Sequence, residues 1–273
     1  IIAAVLGLLA VGCYLLCFNL VTERVEVPQN NTKFNFGDLM KSLFSNRSLI
    51  GIILASILLL LAMLGMSGMS SYVFPNYYGS PAAQSVAALG GTVATIVICA
   101  PLSTKLADKF GKKEWCCMGA GFAAVVFGVL FFIPLHNPVM FIVINGICFL
   151  GASGMQVLVW AMVNDSIDYH ELKTGERNEG IVYSTYSFFR KLASAISGSL
   201  SSFVLGAIGY NVTAGAIQTT QVVNSIWKSY TGIYFVGYGL AVAVLYFVYP
   251  LTKKKTAEML EELKVRRSSK ENA

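Results

Sequence analysis

Residues 165–195, DSIDYHELKTGERNEGIVYSTYSFFRKLASA, join two stretches of opposite character. The first crowds Asp165, Asp168, Glu171, Lys173, Glu176, Arg177 and Glu179 into a short polar connection, and the second turns oily yet carries adjacent cations, Arg190 and Lys191. The apolar runs on either side decide the fold. Residues 139–164 and 180–208 are each long enough for a helix, rising about 1.5 Å per residue, to cross a ~30 Å hydrocarbon layer.

Five further runs of this kind lie at 1–20, 49–72, 82–106, 115–135 and 227–250. Composition agrees: 55% of residues are hydrophobic and 12% charged, against roughly 25% charged in a soluble domain. The runs are continuous rather than alternating, which excludes barrel strands and leaves helices. The expectation is an all-α membrane protein with seven transmembrane helices. No basic segment precedes residues 1–20, so they read as a span and not a signal peptide. Because the chain opens at Ile1 inside that span, it reads as a fragment of a longer protein.

If the spans alternate, 21–48, 107–114, 165–179 and 251–273 share one side. Those segments and their flanks hold 17 of the 20 Lys and Arg residues, while the opposite side has only Lys228. The positive-inside rule makes the basic side cytoplasmic, with a cytosolic C-terminus in a multi-pass protein of the cell membrane. The net charge of +6 is then a topology signal, and the bilayer is the partner it implies rather than nucleic acid. Tyr77, Tyr78, Tyr210, Trp227 and Tyr230 are expected at the outer boundary, with Trp115 and Trp160 near the inner one.

Enzyme chemistry finds no support. His136 and His170 fall in connections, no HExxH or GxSxG occurs, and no span interior holds a carboxylate. The six cysteines lie in or beside apolar runs with no CxxC pair, so they read as reduced thiols, and no metal or cofactor is expected.

The longest polar connection, 22–48, carries Pro28, an Asn-rich turn and an amphipathic piece around Phe36 to Phe44. The chain divides into a span at 1–21, a cytoplasmic linker at 22–48, a six-helix bundle at 49–250 and a tail at 251–273 that reads as a short solvated helix fraying into a charged end. One span before the linker and six after it suggest a six-plus-six carrier.

Two motifs refine this reading. In LADKFGKKE (106–114), Gly111 permits a tight turn, Lys109, Lys112 and Lys113 favour the cytosol, and Asp108 is suited to capping a helix or pairing across an interface. The stretch resembles the D-[RK]-x-G-[RK]-[RK] loop motif of major facilitator superfamily transporters. Residues 165–195 resemble a more specific signature, that of the glycoside-pentoside-hexuronide:cation symporters within that superfamily. Asp168, Tyr169, Glu171, Lys173, Thr174, Gly175, Arg177, Glu179, Gly180, Tyr183, Ser184 and Lys191 all match.

The resemblance implies a major facilitator fold, with this chain supplying helices six to twelve. It implies symport of a glycoside or related sugar with H⁺ or Na⁺ by alternating access. Since no span here holds an acidic residue, the cation ligands are expected in the missing N-terminal half. The motif residues Asp108, Lys109, Gly111, Lys112, Asp168, Tyr169, Glu171, Lys173, Arg177 and Glu179 are expected to gate. By the same resemblance Lys191 lies in the sugar and cation pathway, with Ser187 and Tyr186 helping to bind sugar. Tyr186 stands where the melibiose carrier has an amide, which argues against that sugar.

The residues themselves agree with a pathway. A helix starting near Gly180 sets Lys191 about 16 Å deep, where an unpaired charge needs a water-filled cavity or a partner. Ser184, Ser187, Lys191, Ser194, Gly198 and Ser201 recur at three- and four-residue steps as one polar stripe. Arg190, about 100° round the helix, is expected on a face with Tyr183, Tyr186 and Ser197, as a second hydroxyl donor or a gate residue. Gln156 and Asn145 on the preceding span suit sugar hydroxyls, since an amide both donates and accepts, and suit interhelical bonding equally well. Ser67, Ser70 and Tyr72 are weaker candidates of the same kind. A lysolipid carrier of the related animal branch would need an apolar cleft, and a scaffold would not need a mid-membrane lysine.

Overall fold

The computed structural model describes residues 2–21, 45–175, 177–213 and 217–271. Most of the expected linker, including its amphipathic piece, and Glu176 lie outside the described residues. The chain forms two units, Ile1–Asp38 and Leu39–Ala273. In the first, the described structure is one apolar helix, α1 (Ile2–Leu20).

The second unit is a helical bundle. Its helices are α2 (Arg47–Asn76), α3 (Pro81–Ala94), α4 (Ala100–Phe110), α5 (Lys112–Phe132), α6 (Pro138–Ala152), α7 (Gly154–Thr174), α8 (Glu179–Ala207), α9 (Thr220–Phe247) and α10 (Lys253–Glu271). A π-turn, Thr95–Cys99, links α3 to α4, and helix is the only regular secondary structure among the described residues.

Five helical stretches are long and apolar enough to cross a membrane: Arg47–Asn76, Pro81–Phe110, Lys112–Phe132, Pro138–Thr174 and Thr220–Phe247. Of the seven expected spans, 1–20 corresponds to a shorter apolar helix, Val5–Leu20. The seventh, α8, has the length, with 29 residues, but Arg190, Lys191 and its serines dilute its hydropathy.

Sequence sets the helix ends. Asn46 begins α2: its Oδ1 accepts from the N–H groups of Ser48 and Leu49, both at 3.1 Å, satisfying donors that a helix start leaves open. Its Nδ2 donates to the Ser166 carbonyl at 3.1 Å, so the same cap fastens α2 to α7. Asn137 caps α6 in the same way, accepting from Val139 and Met140. Helix α9 starts at Thr220, seven residues before the expected span, because the Thr219 hydroxyl caps a stretch too polar for hydropathy to flag.

The core lies where α9 packs against α2 and α5, and α2 against α8. Trp227, Tyr230, Tyr234, Tyr238, Ala241 and Leu245 recur at helical spacing on α9 and are all buried. Lipid tails are as apolar as these side chains, so close packing and internal hydrogen bonds, more than removal from water, hold such a bundle together. Small residues permit that closeness: a Cβ on Gly119 of α5 would run into the Gly151 carbonyl of α6.

The expected outer aromatic belt packs inward. The Tyr77 ring stacks on Trp227 at 4.8 Å, Trp227 Nε1 donates to the Leu130 carbonyl at 3.1 Å, and Trp227 is 2% exposed. Burying an indole requires a partner for its N–H, and the end of α5 supplies it.

At the other end, cations close α9. Lys113 Nζ donates to the Tyr246 and Tyr249 carbonyls at 3.1 and 2.6 Å, and Arg47 donates to those of Phe247 and Val248. Each meets the negative end of the helix dipole. The tail is not a fraying solvated helix. α10 is helical to Glu271 and buries Met259 and Leu263, four residues apart, at 4% and 0% exposure.

Candidate functional site

Three contiguous depressions line one wall of the bundle. Trp160, Tyr183, Ser184, Ser187, Phe188, Arg190, Lys191 and Ser194 surround an open groove of about 810 Å³. A second groove of about 550 Å³ between α2, α3, α6, α7 and α9 is lined mainly by apolar side chains, with Asn145, Gln156, Gln84, Ser67, Ser70, Tyr230 and Tyr234 as its polar positions. Between them a recess of about 30 Å³ shares Arg190 with the first groove and Gln156 and Met63 with the second.

Of the expected pathway residues, Lys191, Ser187 and Arg190 meet in the first groove, and Asn145 and Gln156 meet in the second. Gln156 donates to the Met63 sulfur at 2.9 Å. Ser184, Lys191 and Ser194 are exposed along the stripe. Its lower end turns inward: Ser201 donates to the Gly65 carbonyl at 2.9 Å, a bond between α8 and α2 that holds helices rather than solute.

Two expectations change. Tyr186 is 1% exposed, and its hydroxyl donates to Ser56 Oγ at 3.3 Å. It backs the recess instead of presenting a binding surface. Arg190 does not point away from the Lys191 groove: its guanidinium carbon sits 5.2 Å from the Trp160 ring centroid, and its length carries it onto the same wall. Trp160 in turn stacks on Tyr183 at 5.3 Å.

Sequence reasoning missed Gln84. It donates to Ser71 Oγ at 2.8 Å and faces Ser70, but a lone glutamine after a Pro-rich turn carries no periodic signal. It joins Gln156 and Asn145 only through the approach of α3 to α2 and α6.

The polar connection is shorter than expected, because α7 continues to Thr174 and ends at Gly175 with φ +79°. Asp165, Asp168 and Glu171 therefore ride on one helix at three-residue steps, forming a row of carboxylates. Acidic groups near a helix C-terminus repel both each other and the helix dipole, so the row needs cations. Lys112 meets both Asp165 oxygens at 2.8 Å. Arg177 meets Asp168 at 2.7 Å and Glu171 at 2.8 Å and also contacts Glu179.

The tail supplies another cation: Arg267 donates to both Glu171 oxygens and to Asp168, while Arg266 donates to the Leu172 carbonyl at 2.9 Å. The hydrogen bond to Glu171 raises the Arg267 pKa. Burial opposes the charge of Arg177, but its hydrogen bonds to Glu171, Asp168 and Glu179 outweigh that and raise its pKa as well. Both guanidiniums stay charged at any physiological pH. A Met259 and Leu263 pair followed by Arg266 and Arg267 was the available sign of docking.

The remaining motif residues are distributed around this end. Lys173 lies over the Tyr169 ring, 4.8 Å from its centroid, and Lys109 over Phe110 at 5.4 Å. The turn at Gly111 has φ +110° and ψ 148°, a conformation essentially confined to glycine. Lys253 Nζ caps the preceding helix by donating to the Asp108 and Lys109 carbonyls at 2.7 and 2.8 Å. Among the described residues the Asp108 carboxylate makes no ion pair; it is exposed.

A bundle of helices long and apolar enough to cross a membrane, with hydroxyls, amides and cations along a wall and paired charges at one end, belongs to the class of multi-pass membrane proteins. A family model described as MFS/sugar transport protein matches residues 1–253. The chain belongs to that family, and its relatives set it among the glycoside-pentoside-hexuronide symporters of the major facilitator superfamily. It is 30% identical over 270 residues to a Bacillus subtilis protein named uncharacterized symporter YjmB, covering 96% of this chain and 57% of that protein. With an Escherichia coli glucuronide carrier protein homolog it shares 28% over 259 residues, 95% of this chain and 56% of the relative. With an E. coli putative sulfoquinovose importer it shares 32% over 182 residues, 65% and 37%. The chain spans about half the length of the curated relatives it matches.

Proposed function

We propose that this chain forms the C-terminal part of a cation-coupled sugar symporter of the cytoplasmic membrane. In this reading α1 is the last helix of the N-terminal half, residues 22–48 link the halves on the cytoplasmic side, 49–250 is the C-terminal bundle, and 251–273 is cytosolic. The grooved wall faces the N-terminal half and lines the sugar path. One observation carries the proposal: Lys191 opens into a groove flanked by Ser184, Ser187 and Ser194, which adjoins, through the recess shared by Arg190 and Gln156, a largely apolar groove carrying the amides Asn145, Gln156 and Gln84.

Sugar hydroxyls both donate and accept, and this wall offers both functions at fixed positions. Names of two relatives support a sugar as cargo, since they refer to a glucuronide and to sulfoquinovose. Lys191 binds sugar hydroxyls or balances acidic groups of the other half. Occupancy of the H⁺ or Na⁺ site there thereby alters sugar affinity. The charged end, with Asp165, Asp168 and Glu171 against Lys112, Arg177 and Arg267, is the cytoplasmic gate region, where ion pairs exchange as the halves rock.

The test is uptake of labelled glycosides into vesicles carrying the full-length carrier, under imposed Na⁺ or H⁺ gradients. Lys191→Ala should abolish accumulation above the equilibrium level while membrane insertion stays normal. Near-normal accumulation by that variant would overturn the assignment.

A further inference from the structure

The span Pro138–Thr174, made of α6 and α7, is fastened at both ends and broken in the middle. At its start Asn137 caps α6, and Phe141, 0% exposed, sits among aromatic rings, 5.3 Å from Trp227 and 6.0 Å from Phe74. Near its end Asn46 holds the Ser166 carbonyl, the Ser48 and Ser166 hydroxyls meet at 2.8 Å, and Lys112 holds Asp165. Ser153 interrupts the helix between these anchors, twelve residues before Asp165, or about 18 Å by helical rise. The freedom of this span is therefore concentrated at its middle.

A second irregularity lies directly against that break. The π-turn Thr95–Cys99 interrupts the passage from α3 to α4, and such turns recur where helices bend for function. The two irregular points are bonded to each other: the Ser153 hydroxyl donates to Cys99 Sγ at 2.7 Å, and the Cys99 thiol donates to the Leu150 carbonyl at 3.4 Å. Both side chains are 1% exposed, so water has little access to these bonds. Helix α5 packs against the same place. A Cβ on Gly154 would lie 2.6 Å from Trp115 Nε1, and that indole N–H is buried with no hydrogen-bond partner among the described residues. An open buried donor is a cost of this arrangement that a shift of the break relieves.

The break decides where Gln156 stands. Gln156 is the third residue of α7, so the direction of that helix's first turn sets its position. Its amide donates to Met63 Sδ at 2.9 Å, on the recess where the two grooves adjoin. A thioether is a weak acceptor, so this contact holds the amide loosely. We propose that the Ser153–Cys99 bond is the catch of a joint in the α6–α7 span, and that Cys99 and Ser153 are positioning residues which hold Gln156 toward the sugar path. The inference rests on the sugar-transport reading and adds to it two buried side chains that line neither groove.

The full-length carrier in proteoliposomes provides two readouts. Amide hydrogen exchange needs no sugar: in Ser153→Ala and in Cys99→Ala it should rise about fivefold or more across 150–157 and stay unchanged at the anchors, 139–145 and 162–171. Cys99→Ser, which keeps a donor and an acceptor, should exchange like the wild type. Uptake of labelled methyl β-glucoside and methyl β-glucuronide reads Gln156. For the sugar taken up, Gln156→Ala and Ser153→Ala should each raise KM about three- to tenfold with kcat nearly unchanged, as the loss of one neutral hydrogen bond to sugar does. The double variant should be no worse than Gln156→Ala alone. Exchange that is unchanged, or raised equally along the whole span, would overturn the joint, and additive effects on KM would overturn the positioning of Gln156. No uptake of either sugar would sink the sugar-transport reading and the claim on Gln156 with it, while the exchange result still decides the joint.

Discussion

Arg267, in the last turns of the C-terminal helix, binds the same two carboxylates, Asp168 and Glu171, as Arg177 in the connection after α7. Two guanidiniums, one from the tail and one from the connection after α7, thus share one acidic pair, and the tail is held to the segment whose motif defines the family. In Arg267→Ala the tail keeps its Met259 and Leu263 contacts but loses this clamp. Partly exposed pairs are worth about 1 kcal/mol or less, so amide exchange across 253–271 should speed by up to about fivefold, with a smaller rise over 165–174. Unchanged exchange in both segments would show that the apolar contacts alone hold the tail.

Lys112 and Asp165 form a tighter case, because the Asp165 side chain is 10% exposed. Lys112→Ala leaves a nearly buried carboxylate without its cation, and the expected loss is about 1–3 kcal/mol, the range for an orphaned polar group. Lys112→Ala combined with Asp165→Asn should be more stable than Lys112→Ala alone, because the unpaired charge is gone. Thermal unfolding in detergent across the four-member cycle reads the coupling, and additive effects would refute it.

Gly111 has a backbone conformation that a side chain resists, and an added Cβ would also lie 2.9 Å from the Lys253 Cβ. Gly111→Ala should therefore destabilise the protein by roughly 1–3 kcal/mol. Since Lys253 caps this turn, the loss should shrink when Lys253→Gly is added. Thermal shift of the two variants and their combination checks this.

Tyr186→Phe separates support from binding. Removing the hydroxyl leaves Ser56 Oγ unpartnered at a buried position, for an expected loss of about 1 kcal/mol in stability. Because Tyr186 backs the recess, sugar KM should change by less than about threefold. A tenfold rise in KM with unchanged stability would return Tyr186 to the binding surface.

Much was legible in the chain because the controlling physics is local. Continuous apolar runs long enough to span a bilayer declare helices, the bias of Lys and Arg orders their ends, and the charged stretch before an oily helix with Lys191 pointed to the family. Helical phase alone also gave the exposed stripe of Ser184, Lys191 and Ser194.

Local pattern stops at the helix surface, and there the tertiary structure decided. Which way Tyr186 and Arg190 turn depends on Ser56 and Trp160, which lie on α2 and α7. Whether the tail floats or docks depends on Asp168 and Glu171, about a hundred residues before Arg267. Gln84, Asn145 and Gln156 share a groove only because α3, α6 and α7 meet there. Sequence set what each helix is made of through short-range hydropathy and capping. The rotation of each helix, and hence which polar group faces the groove, followed from the packing of all of them at once.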